Sequence, residues 1–248
     1  MNFRKPYCLF IVIFTIFPPL DIHAASQENV VTFDQQIAQV KDIYSLYDGW
    51  NLSLRAPSSL SSENAHFLSQ VNNRWNKYRA VTSYGTKPKK NGISLTEGFL
   101  EDILKEYGSA ASNRIKSWQK ISKLAHGLSA RAKLVQVNTF FNRLAFKSDK
   151  QNWDKNDYWA SPVEFLIRNA GDCEDYAIAK YFTLKAMGVE IDRLRITYVK
   201  SETRGQAHMV LAYYDTKEQD PLILDNLNSK ILPATKRPDL TPVFSFNG

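Results

Sequence analysis

Hydrophobic positions along the chain recur with two different periods, and the change of period divides the sequence. Up to about residue 146 the apolar residues return every third or fourth position: Phe33, Ile37, Val40, Tyr44 and Tyr47, then Leu68, Val71, Trp75 and Tyr78. That spacing puts them on one face of an α-helix. Leu100, Ile103, Leu104 and Tyr107 predict a further helix stopped by Gly108, and a long helical region follows from Asn113 to Phe146 with a break at His126–Gly127. The stretch 147–160 is polar with interspersed aromatics and predicts a surface loop, in which Trp153 and Trp159 are packing residues. A helix start comes next: Ser161 can cap, Pro162 suits the first helical position, and Glu164 can close a capping box. This short helix is expected to stop at Asn169–Ala170–Gly171, with Gly171 in the left-handed conformation.

A new helix must begin at once, with Asp172 as N-cap and Cys173 in its first turn. Its continuation, AIAKYFTLKAM, is apolar on most faces, so it should lie buried and central until Gly188 ends it. The period then falls to two. Leu194, Ile196 and Tyr198 alternate in RLRITYV, AHMVLAYYD follows from Ala207 to Asp215, and a polar turn leads to LILD, Leu222 to Asp225. A buried helix followed by neighbouring antiparallel strands predicts an α+β fold: a helical N-terminal half, and a central Cys-bearing helix packed on an antiparallel sheet.

The chain has 248 residues, 44% of them apolar, enough for one sizeable core or two small ones. Its N-terminus reads as an export signal. Arg4 and Lys5 precede an apolar run, Tyr7 to Phe17, too short to span a bilayer, and small residues follow at Ala24 to Ser26. The expected organisation is a signal peptide over 1–25, a helical lobe over 26–146, and a core of Cys helix and strands over 147–248, the last two forming one continuous domain. No later stretch is long and apolar enough for a membrane helix, so no stable membrane insertion is expected. The formal net charge is +7, and its densest basic spot, Lys87 to Lys90, reads as an exposed loop. No basic stripe is interleaved with aromatics, which argues against nucleic acid as a partner. Of the 2 cysteines, Cys8 leaves with the signal. Cys173 is then the lone thiol of an exported chain and cannot form an internal disulfide.

That thiol stands in NAGDCEDYA, among Asp172, Glu174 and Asp175. Nearby negative charge makes a thiolate harder to form, and a thiolate is the reactive species. A buried, inert cysteine is the ordinary reading of a lone thiol, but carboxylates are poor company for an apolar one. His208 lies near the start of a strand and Asp225 at the end of the next, whereas His66 and His126 fall in predicted helices. Singly, His208 reads as a structural histidine and Asp225 as a turn residue. In the order Cys at a helix start, His on one strand, Asp on its neighbour, they permit nucleophilic catalysis. The thiolate attacks a carbonyl, the imidazole shuttles the proton, and the carboxylate fixes the tautomer.

The order GDCEDYA, AHMVLAY, LILDN resembles the transglutaminase-like cysteine peptidase superfamily, in which a cysteine opens a central helix and His and Asp lie on adjacent strands. Within it, WASPVEFLIRNAGDCEDYAIAKYFTLKAMG is similar to the periplasmic bacterial transglutaminase-like cysteine proteinases of the LapG type, from about Trp153 to the C-terminus and more loosely before it. The resemblance implies that Cys173 is the nucleophile, His208 the base and Asp225 its orienting partner. It further implies a calcium-dependent periplasmic endopeptidase that cleaves a large surface adhesin near its N-terminus, at a pair of alanines, and so controls adhesion and biofilm release. The periplasmic domain of an inner-membrane cyclic di-GMP receptor would sequester it. The family's calcium ligands are carboxylates beside the cysteine, which match Asp172 and Glu174, with Asp175 as a third.

Electrostatics agrees with the metal. The helix terminus favours an anion by roughly 0.3–1 kcal/mol, too little to offset several carboxylates, whereas a divalent cation reverses the local sign. Carboxylates are hard ligands suited to Ca²⁺, and no second Cys or close His favours zinc. The competing reading is that the acids only cap the helix and complement its dipole, and Asp175 is the residue most open to it. Two rival functions share these residues: an acyltransferase using the same Cys-His-Asp triad, and a non-catalytic calcium-responsive binding protein.

Overall fold

The structure, a computed structural model, describes residues 92–216 and 220–246. The proposed signal peptide, the apolar stripes over 33–47 and 68–78, and the Lys87–Lys90 loop lie outside the described residues. The 26–146 lobe is described only from residue 92 onward.

Helix α1 runs Glu97–Lys123, capped by Thr96, and bends at Gly108, whose φ of 80° and ψ of 175° are not helical. The expected stop at Gly108 is therefore a kink between two helical pieces. Helix α2, Ala130–Phe141, starts at the Ser129 cap. His126 sits exposed in the turn between them rather than in a helix. Strand β1, Ala145–Phe146, pairs in parallel with β2, Ala170–Gly171. The stretch read as a loop holds a one-turn helix α3, Asp149–Trp153. Its tryptophans do pack: Trp159 stacks on Phe246, and Trp153 meets Tyr158 on one side and the Arg168 guanidinium on another.

Helix α4, Pro162–Arg168, has the expected start, with Ser161 and Glu164 closing a capping box around Pro162. It is held from α1, because Arg114 donates to the carbonyls of Leu166 and Ile167, which have no helical partner of their own. The left-handed residue that stops α4 is Asn169, φ 56°, not Gly171. Asn tolerates that conformation through its short polar side chain.

Gly171 is required for a different reason. A Cβ there would run into the Asp175 carboxylate and lie 2.9 Å from the Phe165 ring. Gly171→Ala is accordingly expected to destabilise the protein by roughly 1–3 kcal/mol, the usual scale of overpacking. Chemical denaturation checks this, and a midpoint equal to wild type would contradict it.

Helix α5, Cys173–Ala186, is buried over most of its surface, with Tyr176 to Tyr181, Thr183 and Leu184 all inside. Trp118 of α1 donates its indole N–H to Thr183 at 2.7 Å, and Thr183 bonds back to Ala179, so this buried hydroxyl is satisfied. Gly188, φ 81°, ends the segment.

One face of a five-stranded sheet, order β6-β5-β4-β3-β7, packs against α5. Its strands are β3 Leu194–Ser201, β4 Gln206–Tyr213, β5 Leu222–Leu224, β6 Leu232–Pro233 and β7 Leu240–Phe246. All pair antiparallel, with Val199 opposite His208 in the β3–β4 hairpin and Leu211 opposite Leu224 between β4 and β5. Val199, Val210, Ala212, Tyr214 and Ile223 form a second cluster with Ala234 and Leu240. Strands buried on both faces explain why β4 reads as a nearly continuous apolar run. Strands β6 and β7 extend the expected three, and the β3–β7 register shifts between Tyr198 and Val199 of β3. The α+β expectation, a Cys-bearing helix on an antiparallel sheet, describes this architecture.

Candidate active site

Because Cys173 opens α5, its backbone lies where unpaired N–H groups favour an anion. The half-buried thiol donates to Glu174 Oε2 at 3.2 Å. On the sheet side the backbone N–H of Met209 bonds the sulfur, which sets the cysteine against β4 beside His208. Burial pushes the thiol well above its ordinary pKa, and the charges of Glu174 and Asp172 push the same way. The Met209 N–H opposes them.

His208 is 4% exposed, and its Nε2 lies 2.8 Å from Asp225 Oδ1. Asp225 is the residue immediately after β5. Four groups fix it: His208, the Leu227 N–H at 2.9 Å, Arg237 Nη2 at 2.7 Å on its other oxygen, and Asn142, which holds its backbone carbonyl at 2.7 Å. Burial alone would raise the Asp225 pKa. The hydrogen bond and charge of His208, with Leu227 and Arg237, outweigh it and hold the carboxyl far below the usual carboxylate range. The fold thus bonds the Cys173 sulfur to Met209, the residue after His208 on β4, while the His208 ring meets Asp225. Arg237, which also bonds Asp239, is a member of the site that the sequence pattern did not single out.

The acidic residues divide into different situations. Asp175 is fully buried, and both of its oxygens take backbone N–H groups, Ala160 at 2.6 Å and Asp172 at 3.3 Å. It does the capping work left open for it. Asp172 accepts the Asp149 N–H at 3.2 Å through Oδ2, while its Oδ1 is buried without a hydrogen-bond partner. Burial, and then the charges of Asp172, Asp175 and Asp149, lift the Glu174 pKa well above its ordinary value.

Two carboxylates from the polar loop join these. Ligand atoms of Asp149, Asp157 and Glu174 lie within 4.8 Å of one another, as do those of Asp149, Asp172 and Asp175. An all-carboxylate, hard-oxygen set with an orphaned buried oxygen suits calcium, and its mutual repulsion is what a divalent cation relieves. Asp172 and Glu174 were expected here, whereas Asp149 and Asp157 were not.

A cysteine at the head of a buried helix, packed on an antiparallel sheet in which a strand histidine bonds an aspartate at the end of the neighbouring strand, defines a transglutaminase-like cysteine peptidase fold. The comparisons narrow this. The profile of the bacterial transglutaminase-like cysteine proteinases matches residues 107–239, and the chain belongs to that family. Among solved structures, calcium-bound LapG of Legionella pneumophila is 46% identical, with a TM-score of 0.56 over 61% of this chain and 83% of that one. The EGTA-treated form of the same protein gives 47% and 0.55, over 60% and 81%. Comparison with curated proteins gives no match.

Proposed function

We propose that the chain is a calcium-dependent cysteine endopeptidase of the periplasm that cleaves a large surface adhesin near its N-terminus. The observation that carries this reading is the buried His208–Asp225 pair set beside the Cys173 thiol. Asp225, already bonded by Arg237, is an anionic acceptor, so His208 Nε2 carries the hydrogen and Nδ1 is left to take a proton from Cys173.

The steps follow from that tautomer. Nδ1 accepts the thiol proton, and the sulfur attacks the scissile carbonyl. As the C–N bond breaks, the imidazolium returns the proton to the leaving amine, which departs with the C-terminal fragment. His208 then takes a proton from water as the water attacks the thioester, which frees the new C-terminus and restores the thiol. The N–H groups at the start of α5 would stabilise the oxygen on which charge develops. Calcium, held by Asp172, Glu174, Asp149 and Asp157, would neutralise the carboxylates that otherwise oppose thiolate formation.

Family membership and the likeness to a protein solved in calcium-bound and EGTA-treated forms support the calcium dependence. Family resemblance likewise supports the adhesin substrate, its di-alanine site and the sequestering cyclic di-GMP receptor. The charged, then apolar N-terminal segment supports the periplasm. The deciding experiment incubates an adhesin fragment bearing a di-alanine site with the purified protein, with and without EGTA and a primary amine, and reads the products by mass spectrometry. A new free C-terminus in calcium alone is expected. A new amide would establish the acyltransferase, and an intact fragment would leave the binding protein.

The loop carboxylates have their own test. Asp157→Asn is expected to weaken calcium binding by roughly 10- to 100-fold in titration calorimetry, because affinity tracks ligand charge. An unchanged affinity would remove Asp157 from the site.

A further inference from the structure

Asp239 stands immediately before β7 with its side chain 33% exposed, yet a single side chain, Arg237, separates it from Asp225. Its Oδ1 accepts from Arg237 Nε at 2.9 Å and its Oδ2 from Nη2 at 2.7 Å, the two-pronged fit of a carboxylate to a guanidinium. The same Nη2 donates to Asp225 Oδ2, again at 2.7 Å. Arg237 Nη1 is buried without a hydrogen-bond partner, so the two acids set the direction of the fork. The main chain fixes Asp239 in turn. Pro238 restricts the backbone between the two residues, the Leu240 N–H donates to the Arg237 carbonyl at 3.1 Å, and the Glu202 N–H at the end of β3 donates to the Asp239 carbonyl at 2.9 Å. On Asp225 the load is uneven. Oδ1 takes both His208 and the Leu227 N–H, whereas the hydrogen bond at Oδ2 is that of Arg237. That bond keeps the carboxylate from turning about its own Cβ–Cγ axis.

We propose that Asp239 is a positioning residue of the triad: through the Arg237 fork it pins Asp225 Oδ2 and leaves Oδ1 aimed at the His208 Nε2–H. The inference rests on the peptidase reading above. Without Asp239 the guanidinium keeps its charge but loses the two bonds that set its plane. It then turns on its flexible stem, the Asp225 carboxylate turns with it, and the hydrogen bond to the imidazole lengthens. Charge balance works in the same direction. A guanidinium held by Asp225 alone would offset the carboxylate that the imidazolium needs, whereas one shared with Asp239 leaves part of that charge to His208. Both effects act on the step in which His208 takes and returns a proton, so the loss falls on kcat and not on substrate binding.

The test measures kcat and KM of the calcium-loaded protein on the adhesin fragment, and follows by NMR the His208 Nε2–H proton, whose signal lies downfield when a carboxylate accepts it. Asp239→Ala is expected to lower kcat about 10- to 100-fold, the scale of a small misplacement in a catalytic group, with KM unchanged. Its Nε2–H signal should move upfield as the bond to Asp225 lengthens. Asp239→Asn, which keeps one carbonyl oxygen, should lose about three- to tenfold, what one ordinary hydrogen bond supplies. Asp239→Glu, with both oxygens, should recover most of the rate. Glu190→Ala serves as the control, since it breaks the 2.9 Å bond to Arg193 elsewhere on the surface and should alter neither readout. A kcat for Asp239→Ala within about twofold of wild type, or a slower variant whose Nε2–H signal has not moved, would overturn the proposal. So would equal changes in Glu190→Ala, which would mark a mere loss of stability. Asp239→Asn supplies both readouts if the alanine variant does not fold. Cleavage by Cys173→Ala protein would refute the peptidase reading itself, whereas an inactive Cys173→Ala beside an unaltered Asp239→Ala refutes the role of Asp239 alone.

Discussion

Cys173→Ala protein, loaded with calcium, is expected to cleave at least about 10⁴-fold more slowly than wild type while melting at nearly the same temperature. The change removes the only atom that can form the acyl bond. It removes little packing, because the thiol is half-buried and its partners are Glu174 and a backbone N–H. His208→Ala should fall to a similar level, since the imidazole that takes the thiol proton and returns it to the leaving amine is gone. Asp225→Asn should cost about 10³- to 10⁴-fold by a different route: an amide can offer its N–H to Nε2 and turn the imidazole to the tautomer that cannot accept from Cys173. Removing both Cys173 and His208 should then cost little more than removing either, because the two act as one unit. Single-turnover kinetics on one substrate measures all of these. A Cys173→Ala enzyme within tenfold of wild type would end the nucleophile assignment.

Arg237→Met is expected to be the most destabilising single change at the site. Arg237 and Asp225 are 3% and 1% exposed, and the pair is joined at 2.7 Å. Truncating one partner of a buried pair leaves the other charge uncompensated, at a cost of about 3–5 kcal/mol. At about 2–4 °C per kcal/mol for a domain of this size, the melting temperature should drop by roughly 10 °C. The pH dependence has a definite sign. The Asp225 carboxyl is depressed in the folded state, so the stability it contributes is full above the unfolded value of about 3.9 and is lost as pH falls through the folded one. The deficit of Arg237→Met should therefore be full at pH 7 and shrink below about pH 4, where the variant's Asp225 is protonated in both states. Calorimetry at both pH values checks this, and an unchanged melting temperature at pH 7 would mean that His208 and Leu227 hold the carboxylate unaided.

Local chemistry made much of this molecule legible in its sequence. The start of α4 was readable because Ser161, Pro162 and Glu164 each meet a requirement of a helix N-terminus. The start of α5 followed from the need to restart a helix directly after a stop, and the β3–β4 hairpin from a clean change of period. The stop itself was assigned to the wrong residue. Glycine is the usual left-handed residue, but here Asn169 takes that conformation, and Gly171 is needed because Asp175 and Phe165 fill the space of a side chain. Strand β7 escaped because Pro242 interrupts its run, which is compatible with a strand only at a sheet edge.

At the site, residues tied to helix and strand ends could be placed, and residues recruited by tertiary folding could not. Asp149 and Asp157 belong to a polar loop, and only its return over the head of α5 brings them to Glu174 and Asp172. Arg237 follows a short 3-10 turn, Ala234–Lys236, with no periodicity to mark it.

The order of the sheet bears on how the protein behaves in company. Among the described residues its outer strands are β6 and β7, and each contains a proline, Pro233 and Pro242, with a register shift in β7 as well. A proline offers no N–H, so neither rim presents an unbroken row of donors to an incoming strand. The ladder stops where the fold stops it. Copies crowded together, or an extended chain passing over the surface, find no ready template along which to add, and the sheet that carries His208 is guarded against growth into an aggregate.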